Sequence, residues 1–545
     1  MKLNQDILAN LQVLQEKSYA VPLFDLGRVK ENTASNPIWL HFGPGNIFRA
    51  FLCRAHQQLL DHGQAECGII VAEGYDMEMI DKIYTPHDNL SILAQLKADG
   101  TVEKSVNAAI TEALKVDRAS EDFARLKEIL AKESLQMISF TITEKGYSLV
   151  DSKGSYTKDV EADFQKGPEE AGSYMGKVSA LLYHRFQSGQ HPVSMVSMDN
   201  CSNNGMVLFR AIHTFAGVWA ENGLVPKAFL DYVQDRGKVA FPSSMIDKIT
   251  PRPDEQVEKL LLADGFEQIS PVITEKKTYI APFVNAEETE YLFLEDWFTN
   301  GRPPLEHGGI YFTDKATVDK VEQMKVCTCL NPLHTALAIF GCLLGYQKIS
   351  DEVQDDDLLG LIKVIGYREG LPVVVDPQVI APKDFLDTVI QKRLPNPFMP
   401  DSPQRIATDT SQKLSIRFGE TIKAYARQGS GRSVNDLICI PLVLAAWLRY
   451  LMGIDDQGVP MALSSDPLLE ALAPVFGGIS LGGGGYKGII QPVLSDAAIF
   501  GVDLYEAGLG EKIERYFDRL IAHKGAVRET LQAVLADIEK EAHRQ

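Results

Sequence analysis

Cysteine is scarce: seven in 545 residues (Cys53, Cys67, Cys201, Cys327, Cys329, Cys342, Cys439), with no CxxC pair and an odd total. That excludes a disulfide-stapled scaffold and points to reduced thiols in a cytoplasmic protein. Cys327 and Cys329 form the one close pair, but no second Cys or His pair stands at zinc-ligand spacing, so no metal is expected. Basic residues are outnumbered: 54 Lys and Arg against 73 Asp and Glu leave a net charge of −19. Such a chain lacks the electropositive footprint of a nucleic-acid binder, although a local basic pocket for a small anion is compatible with it. Long apolar runs are missing too. Leu437 to Leu448 is the longest, interrupted by Pro441 and closed by Arg449, too short to span a bilayer. Met1 to Ala20 is polar and has no signal-peptide core, so no membrane partner is expected. With 45% hydrophobic and 23% charged residues, wholesale disorder is excluded.

What is present is alternation. Short β-rich runs (Ile38 to Phe42, Cys67 to Val71, Met137 to Ile142, Val193 to Met198) are separated by helical patterns over the first 300 or so residues. Strands divided by helices imply parallel crossovers and a doubly wound sheet. From about Thr317 helical periodicity dominates. The expected fold is therefore α/β: a Rossmann-type domain over 1–310, followed by a mainly α-helical domain over 311–545. A cleft between two such domains is the default ligand site.

Ile38 to Phe42 runs directly into Gly43-Pro44-Gly45-Asn46. Apolar residues then recur at helix spacing (Ile47, Phe48, Phe51, Leu52, Ala55, Leu59, Leu60), and a second strand ends at Glu73. Strand, glycine turn, helix, strand and acid together form a dinucleotide-binding unit. Gly43 permits the tight turn, Gly45 lets backbone N–H groups approach a pyrophosphate, and Glu73 is placed for ribose hydroxyls. Its charge repels a 2′-phosphate, which favours NAD over NADP. Two features depart from the usual fingerprint: Phe48 replaces the third glycine, and Glu73 lies 28 residues beyond Gly45 instead of about 20. Tyr311 to Lys315 spells YxxxK, but it falls 268 residues after Gly43 and is read as coincidence. The glycine-rich segment Leu481 to Gly488 has no GK[ST] ending and is not a P-loop.

Seven strings now stand in order: Gly43 to Ala50, Thr141 to Tyr147, Met198 to Gly205, Phe241 to Pro251, Glu295 to Phe298 with Gly301 to Pro303, Lys325 to His334, and Asn396 to Phe398 with Arg405 to Ala407. In this order they resemble the polyol-specific long-chain dehydrogenases, the mannitol dehydrogenase family, over roughly Trp39 to Phe418. That family's glycine turn also lacks a third glycine. The resemblance implies metal-independent, NAD(P)-dependent hydride transfer between a polyol or aldonate and a ketose or ketouronate, with a small-molecule substrate as partner and the oligomeric state left open. It implies Gly43, Gly45, Asn46, Arg49, Glu73 and Glu144 at the cofactor. It also implies Lys325 as general acid/base, Glu322 as its proton relay, Asn200 and Asn331 as oxyanion donors, and His334, Arg405, Lys413 and Asp247 at the substrate.

The chemistry suits these residue types. Oxidation needs a neutral amine to take the hydroxyl proton, and reduction needs an ammonium to protonate the forming alkoxide. Amide N–H groups stabilise charge that develops on the reacting oxygen. Two cations in one cleft, Arg405 and Lys413, suit a carboxylate. Each residue also has a plainer reading. Glu322 and Lys325 could form a surface ion pair one helical turn apart. Asn331 could serve as a helix cap, and Asp247 is as well suited to binding local backbone as to a substrate hydroxyl.

One spacing departs from the family. Five residues separate Lys325 from Asn331, where the family has four. Because Pro332 disfavours helix at the residue before it, Lys325 is expected near a helix end and Asn331 as the cap of the next helix, with the extra residue absorbed at the break. Likeness to the longer uronate branch favours reduction of a ketohexuronate to an aldonate, D-fructuronate to D-mannonate foremost. The alternatives are mannitol 2-dehydrogenase or tagaturonate reductase activity and, outside catalysis, a silent dinucleotide-binding sensor.

Overall fold

Four of the expected strands are buried at every position: Trp39–Phe42 (β1), Ile69–Glu73 (β2), Met137–Phe140 (β4) and Val193–Ser197 (β5). Full burial is what a strand meets when helices cover both faces of a parallel sheet. Ile110–Lys115 (β3) and Val239–Ala240 (β6) complete the sheet. All neighbours pair in parallel, in the order β3-β2-β1-β4-β5-β6. That order reverses between β1 and β4, the switch point at which doubly wound sheets bind ligands.

In this computed structural model the described residues are 1–8, 11–427 and 431–543. The chain divides into two units, Met1–Lys97 with Thr101–Asp319, and Ala98–Gly100 with Lys320–Gln545. In the first unit alternate residues of β1 serve opposite faces, as the period of a strand requires. Leu40 and Phe42 pack with Phe140, Leu208 and Trp219. Trp39 packs on the other side with Phe48, Phe51 and Leu59. The crossover after β1 is helical from Asn46, passing through a wide turn at Phe48–Leu52 into Cys53–Asp61.

The second unit is helical. Asn331–Leu344 and Cys439–Tyr450 form its apolar centre, and the latter is buried at all twelve positions. It takes in most of the apolar stretch noted in the sequence. Pro441 is tolerated because it lies in the first turn, where N–H groups have no intrahelical partner. The Glu369 carboxylate accepts N–H groups of Ile438, Cys439 and Ile440 at 2.6, 2.7 and 2.8 Å. Buried Arg449, at the other end, donates to the carbonyls of Ile454 and Asp455. One helical run, Lys315–Leu344, is long and apolar enough to cross a membrane by length and composition, and 83% of its apolar window is buried inside the protein.

Candidate active site

In the first unit the glycine turn is held by β1 and β4 together. Gly43 has φ +83° and approaches the Thr141 carbonyl so closely that a Cβ would collide with it. His41 braces the pair from below. Its Nδ1 meets Ser139 Oγ at 2.7 Å and its Nε2 meets Thr141 Oγ1 at 2.9 Å. Ser139 already accepts from Trp39 Nε1, so its hydroxyl can donate to Nδ1, leaving the ring proton on Nε2. Burial pushes the His41 pKa down to about 3, so this brace is uncharged at neutral pH.

The remaining expected cofactor residues gather at the same edge. Arg49 is the first to bond back into the helix, to the Gly45 carbonyl, so the N–H groups of Asn46, Ile47 and Phe48 stand at its open end. Space around Gly45 is clear, with only the Gly43 carbonyl as near as 4.0 Å to a Cβ built there. Glu73 ends β2, where Oε1 accepts from the N–H groups of Tyr75 (2.6 Å) and Asp76 (3.0 Å) and burial raises its pKa. Glu144 is exposed just beyond β4, and Asn200 is exposed just beyond β5. Open helix N–H groups, an uncrowded glycine and an acid at the end of β2 fit a dinucleotide.

Arg49 lies beneath this edge. It is wholly buried, donating to the Ala281 carbonyl at 2.7 Å and to Asn46 Oδ1 at 2.9 Å. Through the second of these bonds it positions Asn46. Asp199, to which the sequence reading gave no role, is the organising acid of this edge. It accepts from the N–H groups of Ile142 and Thr143 at 2.9 Å each and from the Tyr147 hydroxyl at 2.5 Å. Asp247 is buried at the end of the strand Ser244–Asp247, opposite Tyr291.

In the second unit Lys325 is 4% exposed. It lies near a helix end, where it opens the last turn before the break at Leu330. Helix Lys315–Met324 widens at Lys325–Cys329, where the Leu330 N–H reaches back five residues to the Lys325 carbonyl at 3.1 Å, and Asn331–Leu344 follows. This is a π turn, which holds one residue more than an α turn. Together with Leu330, which leaves helical geometry (φ −127°, ψ −63°), it takes up the five residues between Lys325 and Asn331, so a break stands just before Asn331. Asn331 is consequently the first residue of its helix and not the cap. The capping position is Leu330, and no side chain caps that end. Glu322 is half-buried one turn before Lys325.

His334 and Arg405 are joined by an acid that the sequence reading missed. His334 Nε2 stands 3.6 Å from Asp401 Oδ2, and Asp401 Oδ1 pairs with Arg405. Asp401 follows the Asn396 to Phe398 string closely, which was its only sequence signal. Lys413 donates to the carbonyls of Thr408 and, at 3.4 Å, Ile406, which ties down the segment after Arg405. Burial lowers its pKa, as does the charge of Arg417. A cavity of about 860 Å³ elsewhere in this unit is lined by Arg368, Arg432, Lys512 and Tyr516 and contains none of the expected site residues. Among the described residues no three His, Cys, Asp or Glu side chains are grouped to hold a metal ion. Cys327 and Cys329 are buried thiols whose pKa burial raises to about 11 and 12.

The sheet order and the glycine turn define a Rossmann-type dinucleotide-binding protein with a helical second part. Residues 37–306 match the mannitol dehydrogenase Rossmann domain, and residues 317–521 match the mannitol dehydrogenase C-terminal domain. The chain belongs to the mannitol dehydrogenase family. It is 49% identical to D-mannonate oxidoreductase of Thermotoga maritima over 538 residues, 98% of this chain and 99% of the relative. Mannitol 2-dehydrogenase of Pseudomonas fluorescens, solved as a ternary complex with NAD and D-mannitol, is 25% identical with a TM-score of 0.66, covering 99% of this chain and 100% of that one. A substrate-free D-sorbitol dehydrogenase shares the fold, at 24% identity and a TM-score of 0.75, covering 94% and 97% of the two chains. The family match runs to residue 521, well past Phe418. It therefore takes in the Leu481 to Gly488 segment, which the sequence reading set outside the family core.

Proposed function

We propose that this chain catalyses the reversible, NAD-dependent reduction of a ketohexuronate to an aldonate, D-fructuronate to D-mannonate. The observation that carries the reading is the 49% identity to a D-mannonate oxidoreductase across 98% of the chain. Buried Lys325 is the acid/base. In reduction its ammonium gives a proton to the alkoxide oxygen, and in oxidation its neutral amine takes one from the hydroxyl. Asn200 and Asn331 donate amide N–H groups to the oxygen as charge develops there, and Glu322 carries the proton between Lys325 and solvent. The bound nicotinamide supplies or accepts the hydride. The helix end after Gly45 receives the pyrophosphate, Glu73 the ribose hydroxyls, and Glu144 the exposed flank of the same edge. His334, Arg405, Lys413 and Asp247 hold the substrate. Seven free cysteines suit a reducing compartment, and the reading puts the reaction in the cytoplasm.

The test is Lys325→Ala. NADH affinity should stay within about threefold of wild type, while kcat for the ketone falls by about 10²–10⁴. Near wild-type turnover would remove Lys325 from the mechanism. A panel of fructuronate, tagaturonate and fructose with NADH tests the substrate, and fructose giving the highest kcat/KM would overturn the uronate assignment.

A further inference from the structure

Arg417 has no part in the assignments above, yet it is tied by a hydrogen bond to the helix that carries Asn331 and His334. It lies in the wide turn Ser415–Gly419, one turn after Lys413, whose carbonyl accepts its backbone N–H at 2.9 Å. Its Nη1 donates to Thr335 Oγ1 at 2.5 Å, and Thr335 in turn donates to the Asn331 carbonyl at 3.0 Å. Thr335 is the residue after His334, so the guanidinium is tethered alongside the residues read as meeting the substrate.

Its surroundings differ from those of Arg185, Arg449, Arg405 and Arg528. Arg185 spends its guanidinium on five backbone carbonyl bonds. Arg449 uses two carbonyls, Arg405 has Asp401, and Arg528 has Asp355 and Asp357. Among the described residues no carboxylate pairs with Arg417, and its side-chain bond goes to a neutral hydroxyl. Burial alone pulls its pKa down to about 10. A half-buried cation without a counter-ion is costly to hold, and this one has a second cation, Lys413, for a neighbour. Lys413 is already committed to the carbonyls of Thr408 and Ile406. The unspent donors are those of Arg417, and a planar fork of N–H groups matches a carboxylate.

We infer that Arg417 is a specificity-determining residue that receives the carboxylate of the substrate and so separates hexuronates and aldonates from neutral ketoses and polyols. This rests on the uronate reading above. A neutral sugar has no charge with which to repay the burial of this guanidinium, whereas a carboxylate supplies the missing counter-ion.

Full-length Arg417→Met and Arg417→Lys enzymes are compared with wild type for kcat and KM on fructuronate and fructose, together with NADH affinity. The Met variant should raise KM for fructuronate about 30-fold or more, the scale of losing one partner of a desolvated ion pair. The ratio of kcat/KM for fructuronate over fructose should collapse by a similar factor, with NADH affinity retained and the Lys variant intermediate. Should the Met variant fail to fold, Thr335→Val removes the tether while keeping the charge. It should then raise KM for fructuronate more than it lowers kcat. Equal losses on both substrates, or an unchanged KM for fructuronate, would overturn the inference. A wild-type enzyme that prefers fructose would instead overturn the uronate reading, and the two failures are read from different rows of the same experiment.

Discussion

Glu352 is completely buried, and neither carboxylate oxygen has a hydrogen-bond partner. It packs beneath Gly341 of the helix that carries Asn331 and His334, beside Pro403 of the short helix that carries Arg405. Burial, reinforced by the charges of Asp351 and Asp355, raises its pKa to about 9. The folded protein thus keeps this proton up to about pH 9, whereas an unfolded glutamate releases it near pH 4.3. Stability from this group is intact below the unfolded value and is lost at about 1.4 kcal/mol per pH unit as pH rises between the two. Glu352→Gln should flatten that slope. In denaturant melts the variant should match wild type near pH 5 and exceed it by a few kcal/mol at pH 8.5. Parallel pH profiles would mean that Glu352 is solvated. Sequence gives no hint of this residue, because it stands in the acidic stretch Asp351 to Asp357, which reads as a solvated face.

At the scale of elements, the π turn at Lys325 makes a testable statement about phase. If the turn only stores the fifth residue, deleting Val326 should let it close as an ordinary α turn. Lys325 and Asn331 would keep their relation, with kcat within about tenfold of wild type. Inserting an alanine after Val326 should rotate them apart and cost about 10²-fold in kcat, the scale of an ångström-level misplacement. Deletion as damaging as insertion would show that the wide turn itself is required. The strands were legible because two-sided burial leaves uninterrupted apolar runs, and the glycine turn because its residues are local. The π turn was not legible. Its five-residue reach depends on what packs around the helix, whereas the break before Asn331 was legible from Pro332 and falls at Leu330. Asp401 and Arg417 escaped for a related reason: their partners, His334 and Thr335, lie more than sixty residues away, and no spacing rule links them.

For the molecule as a whole, cofactor binding is felt as global stability. A ligand at 100 times its Kd stabilises the state that binds it by about 2.7 kcal/mol. NADH should therefore raise the melting temperature by a few degrees, and NADPH at the same concentration by less than half as much, since Glu73 opposes a 2′-phosphate. A larger shift with NADPH, read by calorimetry, would remove Glu73 from the ribose site. The division into sheet and helical parts was visible from the change of hydrophobic period alone. The roles of individual side chains were read from the ordered family strings, and the fold adds that buried Arg49 supports Asn46.

The two glycines of the turn are subject to different kinds of selection. Every codon change at Gly43 that alters the amino acid brings a Cβ against Thr141, so the position is closed to drift by the architecture itself. Gly45 has room for a methyl group and is guarded only by what docks against it. A mutational library sorted first for soluble expression and then for growth on the substrate would lose Gly43 variants in the first round and Gly45 variants only in the second.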